Sequence, residues 1–143
     1  MLVRLLYASR AAKAVDPEEL EAILRQAKTN NQKHGITGAL CLCRNGGVFL
    51  QVLEGSREAV NGLYARLQRD ARHSEPLLLS YDEISERRFA GWYMGQVNMS
   101  RLNPALLLKY SETAALDPYA MSGAAALALF DEWATTGAIV GQA

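Results

Sequence analysis

Two hydrophobic periods divide this chain. From Leu2 to Ser9 and from Val48 to Gly55 nearly every position is apolar, as in strands buried on both faces. Ile36 to Cys43 reads the same way and joins Val48 through Arg44-Asn45-Gly46-Gly47, where Asn-Gly is a hairpin signal. Leu77 to Ile84 and Gly91 to Val97 complete the predicted strands. Between them the period lengthens to that of helices. Asp16-Pro17-Glu18-Glu19 supplies a capping carboxylate, a proline at the first helical position and an acid at the third. Leu20, Ile23, Leu24 and Ala27 then form one stripe, and the helix is expected to stop near the polar run Thr29 to Lys33. Ser56 caps a second helix with Val60, Leu63, Tyr64 and Leu67 facing inward. Asn103-Pro104 and Ser122 open two short helices in the tail.

The order strand, helix, strand, strand, helix, strand, strand predicts an α+β sandwich of ferredoxin-like type. Its five-stranded mixed sheet would carry both helices on one face. Leu2, Leu6, Leu40, Leu42, Val48, Leu50 and Val52 are assigned to the other face, which is too apolar for water. The C-terminal helices or a second subunit are expected to cover it. Residues 1–97 are read as one domain and 98–143 as a helical extension.

Composition narrows the partners. The 143 residues carry 15 basic and 15 acidic side chains, a net charge of zero. That argues against nucleic acid or an anionic membrane as the main partner. The longest apolar run, Gly123 to Phe130, is too short to span a bilayer, and no charged leader precedes an apolar stretch, so a cytoplasmic location is expected. Cys41 and Cys43 project from one strand face, a poor geometry for a mutual disulfide. His34 and His73 do not complete a zinc spacing, so no metal site is expected.

One residue breaks the apolar pattern. Gln51 shares a strand face with Phe49 and Leu53, and a buried amide costs several kcal/mol unless its donors and acceptor are satisfied. Tyr7 is the available partner, because Val3, Leu5, Tyr7 and Ser9 form a buried row on the first strand.

Tyr7-Ala8-Ser9 is followed by Asn30-Asn31, leading into Gly35-Ile36-Thr37-Gly38-Ala39-Leu40. Then come Phe49-Leu50-Gln51-Val52-Leu53-Glu54-Gly55, Asp70-Ala71-Arg72-His73 and Arg88-Phe89-Ala90-Gly91-Trp92-Tyr93-Met94. In this order and spacing they resemble the BLUF family, the sensors of blue light using FAD, over residues 2–97. Leu108-Lys109-Tyr110-Ser111 and Tyr119-Ala120-Met121 resemble the tail of its short stand-alone PixD-type members.

The resemblance implies a blue-light photoreceptor holding FAD non-covalently between the two helices. Tyr7, Asn31 and Gln51 would face the flavin edge, with Asn30 beside them and Ile23, Phe49 and Leu67 as apolar walls. Arg66, Asp70 and His73 would lie near the ribityl and phosphate portion, sharing one helix face if the second helix runs that far. Tyr7 would donate an electron and a proton, and Gln51 would be the switching amide. Trp92 and Met94, on one face of the last strand, would relay the change to the tail. The implied protein is a switch without net turnover, a homo-oligomer that docks a response-regulator-like partner. Ala27 departs from the pattern, standing where several relatives carry a serine, and the hairpin at Arg44 to Gly47 is longer than in relatives.

Read without the family, Asn31 ends a helix, Arg66 and Asp70 form a solvated pair, and Trp92 and Met94 are core. Two other functions stay open. One is a small ferredoxin-like enzyme of acylphosphatase type, which needs a phosphate-cradling loop with an arginine between Ala8 and Val15. The other is a cofactor-free oligomerisation domain.

Overall fold

The computed structural model describes residues 1–141; the last two positions of the predicted 98–143 extension lie outside the described residues. The elements run β1 (Leu2–Ala11), α1 (Pro17–His34), β2 (Thr37–Cys43), β3 (Val48–Ser56), α2 (Arg57–Arg69), β4 (His73–Ile84) and β5 (Gly95–Val97). The tail adds α3 (Pro104–Tyr110), α4 (Gly123–Thr136) and β6 (Ile139–Val140). The strand order is β4-β1-β3-β2-β5-β6. β1 lies antiparallel to β3 and β4, and β2 antiparallel to β3 but parallel to β5, so the sheet is mixed. Two interlocked split βαβ units result, the ferredoxin-like arrangement, with α1 and α2 on one face.

Local chemistry sets the boundaries. Asp16 Oδ1 accepts the Glu19 amide at 2.8 Å, and Ser56 Oγ accepts the Ala59 amide at 3.1 Å, each closing an N-terminal turn. α1 does not stop near Thr29. It runs to His34 and ends at Gly35, whose φ of 66° provides the left-handed cap, so Asn30 and Asn31 are helical. The β2–β3 turn uses positive φ at Arg44 and Asn45, both 56°, and at Gly46, 83°. That turn fixes a register in which Leu40 faces Gln51.

The sheet is buried on both sides. Val3, Leu5, Leu24, Leu53 and Val60 build the core beneath α1 and α2. Leu6, Leu50, Val52, Phe89, Phe130 and Trp133 build the second core, beneath the tail. α4 seats directly on β4, since a Cβ at Gly123 would lie 2.1 Å from the Leu79 carbonyl oxygen. The second face is therefore covered from within the chain.

Several expectations need correction. Leu40 and Leu42 belong to the α1/α2 core, because Leu40 shares the face of its cross-strand partner Gln51; Ala39, Cys41 and Cys43 point to the tail instead. The sheet has six strands, since Ile139–Val140 pairs with β5. β4 starts at His73 rather than Leu77, because Arg10 and Ala11 extend its ladder to Ser74 and His73. The last predicted strand shrinks to Gly95–Val97. Residues 91–94 leave the ladder because their carbonyls bond elsewhere: Trp92 O accepts the Gly38 amide at 2.9 Å, and Tyr93 O accepts Asn31 Nδ2 at 2.7 Å. α2 ends at Arg69, so Arg66, Asp70 and His73 do not share a helix face. Among the described residues no helix is long and apolar enough to cross a membrane.

Phe130 is fully buried between Phe89 and Trp133, with edge-on ring contacts at 6.1 and 5.3 Å. Phe130→Ala should therefore lower the unfolding free energy by about 3–5 kcal/mol, measured by urea denaturation. A loss below about 1 kcal/mol would mean that the tail does not share the sheet's core.

Candidate functional site

Between α1 and α2 the sheet opens into a cavity of about 1060 Å³. Its floor is made by alternating residues of the central strands, Tyr7, Leu40, Phe49 and Gln51. The β1–β3 register puts Tyr7 directly opposite Gln51, and the Tyr7 hydroxyl donates to Gln51 Oε1. Gln51 Nε2 in turn donates to Met94 Sδ at 3.3 Å. Tyr7, Gln51 and Met94 are all buried. The short polar chain thus runs from β1 through β3 to the segment before β5, and both ends of the Gln51 amide are engaged.

Asn31, also buried, projects from the last turn of α1 and ties Tyr93 O with its Nδ2, leaving its amide oxygen without a protein donor among the described residues. Burial, reinforced by repulsion from Tyr64 5.2 Å away, pushes the Tyr7 phenol well above its ordinary range, so it stays protonated and a donor.

The helices supply apolar walls and a charged mouth. Ile23 of α1 and Leu67 of α2 both line the cavity, as do Asn30 and Asn31. Lys13, Arg25, Lys33, Arg66 and Arg72 line its outer part, against Glu19 and Asp70. The Arg72 guanidinium grips both Asp70 oxygens, 3.1 Å from Nε and 2.6 Å from Nη2, and holds the Asp70 carboxyl down at about 2. His73 packs on the Phe49 ring, centroids 4.8 Å apart, with Nδ1 2.9 Å from Ser9 Oγ. Burial lowers its pKa, and Asp70 opposes that shift only in part.

The cavity gathers every residue expected at the site except Trp92. Trp92 was expected on Met94's strand face; off the ladder, the two part. Met94 turns into the cavity wall, whereas Trp92 packs on the tail-side core with its ring 6.5 Å from Phe89. Its indole N–H is buried without a partner among the described residues. Leu40 and the cations Lys13, Arg25, Lys33 and Arg72 escape a reading of the sequence: alternation assigns Leu40 to the other face, and the scattered cations carry no pattern. The segment where a phosphate-cradling loop would lie holds Arg10, whose guanidinium is bound to Glu75 at 2.6 Å and stacked on Tyr119. That arginine is committed elsewhere.

A flavin fits this donor set. Its tricyclic ring needs apolar faces, which Ile23 and Leu67 provide. Its imide edge needs both a donor and an acceptor, which the free Asn31 oxygen and the amide hydrogens of Gln51 provide. Phosphate at its far end would meet the cations of the mouth.

Fold and cavity together define a ferredoxin-like sandwich whose cavity floor carries a buried, hydrogen-bonded amide. The family model for sensors of blue light using FAD matches residues 2–95, and the chain belongs to this BLUF family. Photoactivated adenylate cyclase subunit beta of Euglena gracilis is 36% identical over 86 residues, 60% of this chain and 10% of that protein. The chain thus spans about a tenth of the length of the curated relatives it matches. Among solved structures, BlsA in its photo-activated state superposes with a TM-score of 0.81 at 29% identity, covering 100% of this chain and 99% of that one. BlrB, a BLUF protein in its dark state, gives 0.76 at 33% identity, covering 94% and 96%.

The lowered His73 pKa has a consequence for stability. The unfolded chain binds the His73 proton more readily than the folded one, so this residue costs stability as pH falls below about 6.5. The cost grows down to the folded-state pKa and is absent well above 6.5. An NMR titration should place the His73 midpoint below 6.5, and His73→Gln should flatten the acid side of the stability profile. A midpoint at or above 6.5 would contradict the burial argument.

Proposed function

We propose that this chain is a blue-light photoreceptor that holds FAD non-covalently in the α1/α2 cavity, with Tyr7 and Gln51 as its switch. The observation that carries this reading is the buried Tyr7–Gln51–Met94 chain lying along the cavity floor. Ile23, Phe49 and Leu67 would pack the ring, Asn30, Asn31 and Gln51 would meet its polar edge, and Arg66, Asp70 and His73 would flank the side chain. A bound flavin supplies a blue-absorbing chromophore that becomes a strong oxidant when excited. The cation-rich mouth supports a phosphorylated flavin over riboflavin, and FAD is the proposed form.

Tyr7 is placed to lose an electron, and its hydroxyl proton has one path among the described residues, to Gln51 Oε1. A proton on that oxygen removes the acceptor that fixes the amide. Gln51 could then release an Nε2 hydrogen to the flavin that has taken the electron, becoming the imidic tautomer, and rotate, exchanging its donor and acceptor ends. The exchanged amide no longer offers the same hydrogen to Met94 Sδ, so the segment before β5 is released or reset. Proton and electron return to Tyr7, and nothing is consumed, which makes the protein a switch without net turnover. Trp92 and Met94, on opposite sides of one backbone segment, would carry the change from residues 1–97 to the extension that begins at residue 98.

The output is a second protein, response-regulator-like by the likeness to PixD-type members, met in the cytoplasm. A homo-oligomer is the proposed assembly, although α3 and α4 already cover the apolar face that first motivated it. Among the described residues the large apolar side chains still exposed are Met1 just before β1, Leu77 and Leu78 on edge strand β4, and Met99 and Leu108 in the tail. Light scattering in the dark should find more than one chain per particle, and Leu78→Lys should reduce that number. A monomer at micromolar concentration removes the oligomer from the proposal.

The switch itself is tested spectroscopically. Tyr7→Phe and Gln51→Leu should both yield yellow protein, since the cavity walls are untouched, and mass spectrometry of the released chromophore should identify FAD. Neither variant should show the light-induced red shift of the wild type. A normal shift in Tyr7→Phe would remove Tyr7 as donor, and a normal shift in Gln51→Leu would remove the amide as switch.

A further inference from the structure

Glu54 is wholly buried (0% exposed) on the tail-side face of β3, in line with Leu50 and Val52. Such a position ordinarily carries an apolar residue, because an ionised carboxylate inside a core is tolerated only when it is paired and hydrogen-bonded. Here both oxygens are engaged. Arg4, itself 5% exposed and directly opposite on β1, brings Nε and Nη2 each to 2.8 Å of Glu54 Oε2. The segment between β4 and β5 adds two backbone donors: the Arg88 amide reaches Oε2 at 3.0 Å and the Phe89 amide reaches Oε1 at 2.7 Å.

Those two amides belong to a strap that crosses the end of the sheet and is bonded at nearly every step. The Arg87 guanidinium donates to Gly35 O at 2.8 Å and to Thr37 Oγ1 at 3.0 Å. Trp92 O and Tyr93 O are held by Gly38 and Asn31, and Met94 Sδ by Gln51. The contact at Met94 is the weakest, since thioether sulfur is a poor acceptor. Its placement depends on where the strap starts. Glu54 fixes that start with charge-assisted bonds from the same strand that carries Gln51 three residues earlier. Strand rise sets the distance between clamp and switch, so the strap is measured against β3 itself.

We propose that Glu54, paired with Arg4, is a positioning residue for the photochemical switch: it sets the register of the 87–94 strap so that Met94 meets the Gln51 amide. The inference rests on the photoreceptor reading but concerns residues that line no part of the cavity. Replacing Glu54 should leave flavin binding intact and alter how the Gln51 state forms and decays. A buried ion pair that served only the fold would change stability and leave the photocycle as it was.

The test uses the full chain with its bound flavin. Glu54→Gln removes the charge and one acceptor. Arg4→Met/Glu54→Gln does the same without leaving Arg4 buried and unpaired, and replaces the single variant if that one does not fold. Amide exchange of peptides spanning residues 87–94 is followed in the dark by mass spectrometry, and the red-shifted state by absorbance after a blue flash. Strap exchange should rise about tenfold, as expected for freeing two backbone donors. The light-induced shift should shrink or its recovery change severalfold, while flavin content stays at the wild-type level. Faster exchange with an unchanged shift and recovery would reduce Glu54 to a structural role and overturn the inference, as would unchanged exchange. A wild-type chain that binds flavin but shows no shift would instead sink the photoreceptor reading, and this inference with it.

Discussion

A primary amide in the middle of a doubly buried strand is the constraint around which this molecule is arranged. Gln51 carries two donors and an acceptor where its neighbours along the strand, Phe49 to Leu53, are apolar, and leaving them unpaired would cost several kcal/mol. The chain answers from two directions. Tyr7 is brought opposite by the β1–β3 register and gives its hydroxyl to the amide oxygen. Met94 is brought in from a segment that has left the sheet and accepts from the amide nitrogen. The two partners differ greatly in strength. A phenol held far from ionisation is a firm donor, whereas a thioether is a soft acceptor, so the amide is secured at one end and lightly held at the other. Under the proposed function that asymmetry suits a switch, since the ends of Gln51 could be exchanged without breaking the sheet that carries it.

The cavity follows from the same register. Residues that alternate with Leu6 and Leu50 must face α1 and α2, and those helices stay apart at the position of Tyr7 and Gln51 instead of packing there. Ile23 and Leu67 are only partly buried for that reason, although their stripes read as core. An apolar slot with amides at one edge and cations at the other is costly to leave as the only product of folding, and a flat phosphorylated ligand offsets each part of the cost at once.

How far the sequence revealed this depended on whether the deciding interaction was local. Strand alternation pointed to the Tyr7–Gln51 pair because both side chains interrupt apolar rows, and the caps at Asp16 and Ser56 marked the helix starts because capping is a contact within one turn. The failures came where a distant partner overruled the local pattern. Trp92 and Met94 alternate like strand residues, but Asn31 and Gly38 take the carbonyls that a ladder would use, and the segment becomes a strap. The polar run at Thr29 looked like a helix end, yet the left-handed cap is available only at Gly35, and tertiary burial of Asn31 draws the last turns into the helix. Leu40 falls on the other face from the one alternation suggests because its side is set by a hairpin whose positive φ values begin at Arg44, a residue with no turn preference of its own, before Asn45 and Gly46. For function, patterning alone reached only a buried amide with a phenol; the wider site was legible as motif resemblance, since a cavity built from two helices and three strands has no short sequence signature.

Burial of the sheet on both faces also determines how its two sides can communicate. The strap touches both cores: Met94 looks into the cavity wall, Trp92 and Phe89 look into the tail-side core, and one backbone carries all three. Under the proposed function it is the segment that would carry a change at Gln51 around the edge of the sheet. On the tail side it is held to α4 by the Arg88–Asp131 ion pair and by the Phe89–Phe130 ring contact. Asp131 keeps a second oxygen buried without a partner, and the Trp92 indole N–H is likewise unpaired, so the strap's present seating leaves polar groups unsatisfied on the side away from the cavity. Each orphaned group lowers the advantage of this seating. Under the proposed function, that would let a modest bias at Gln51 reach α4 through the strap.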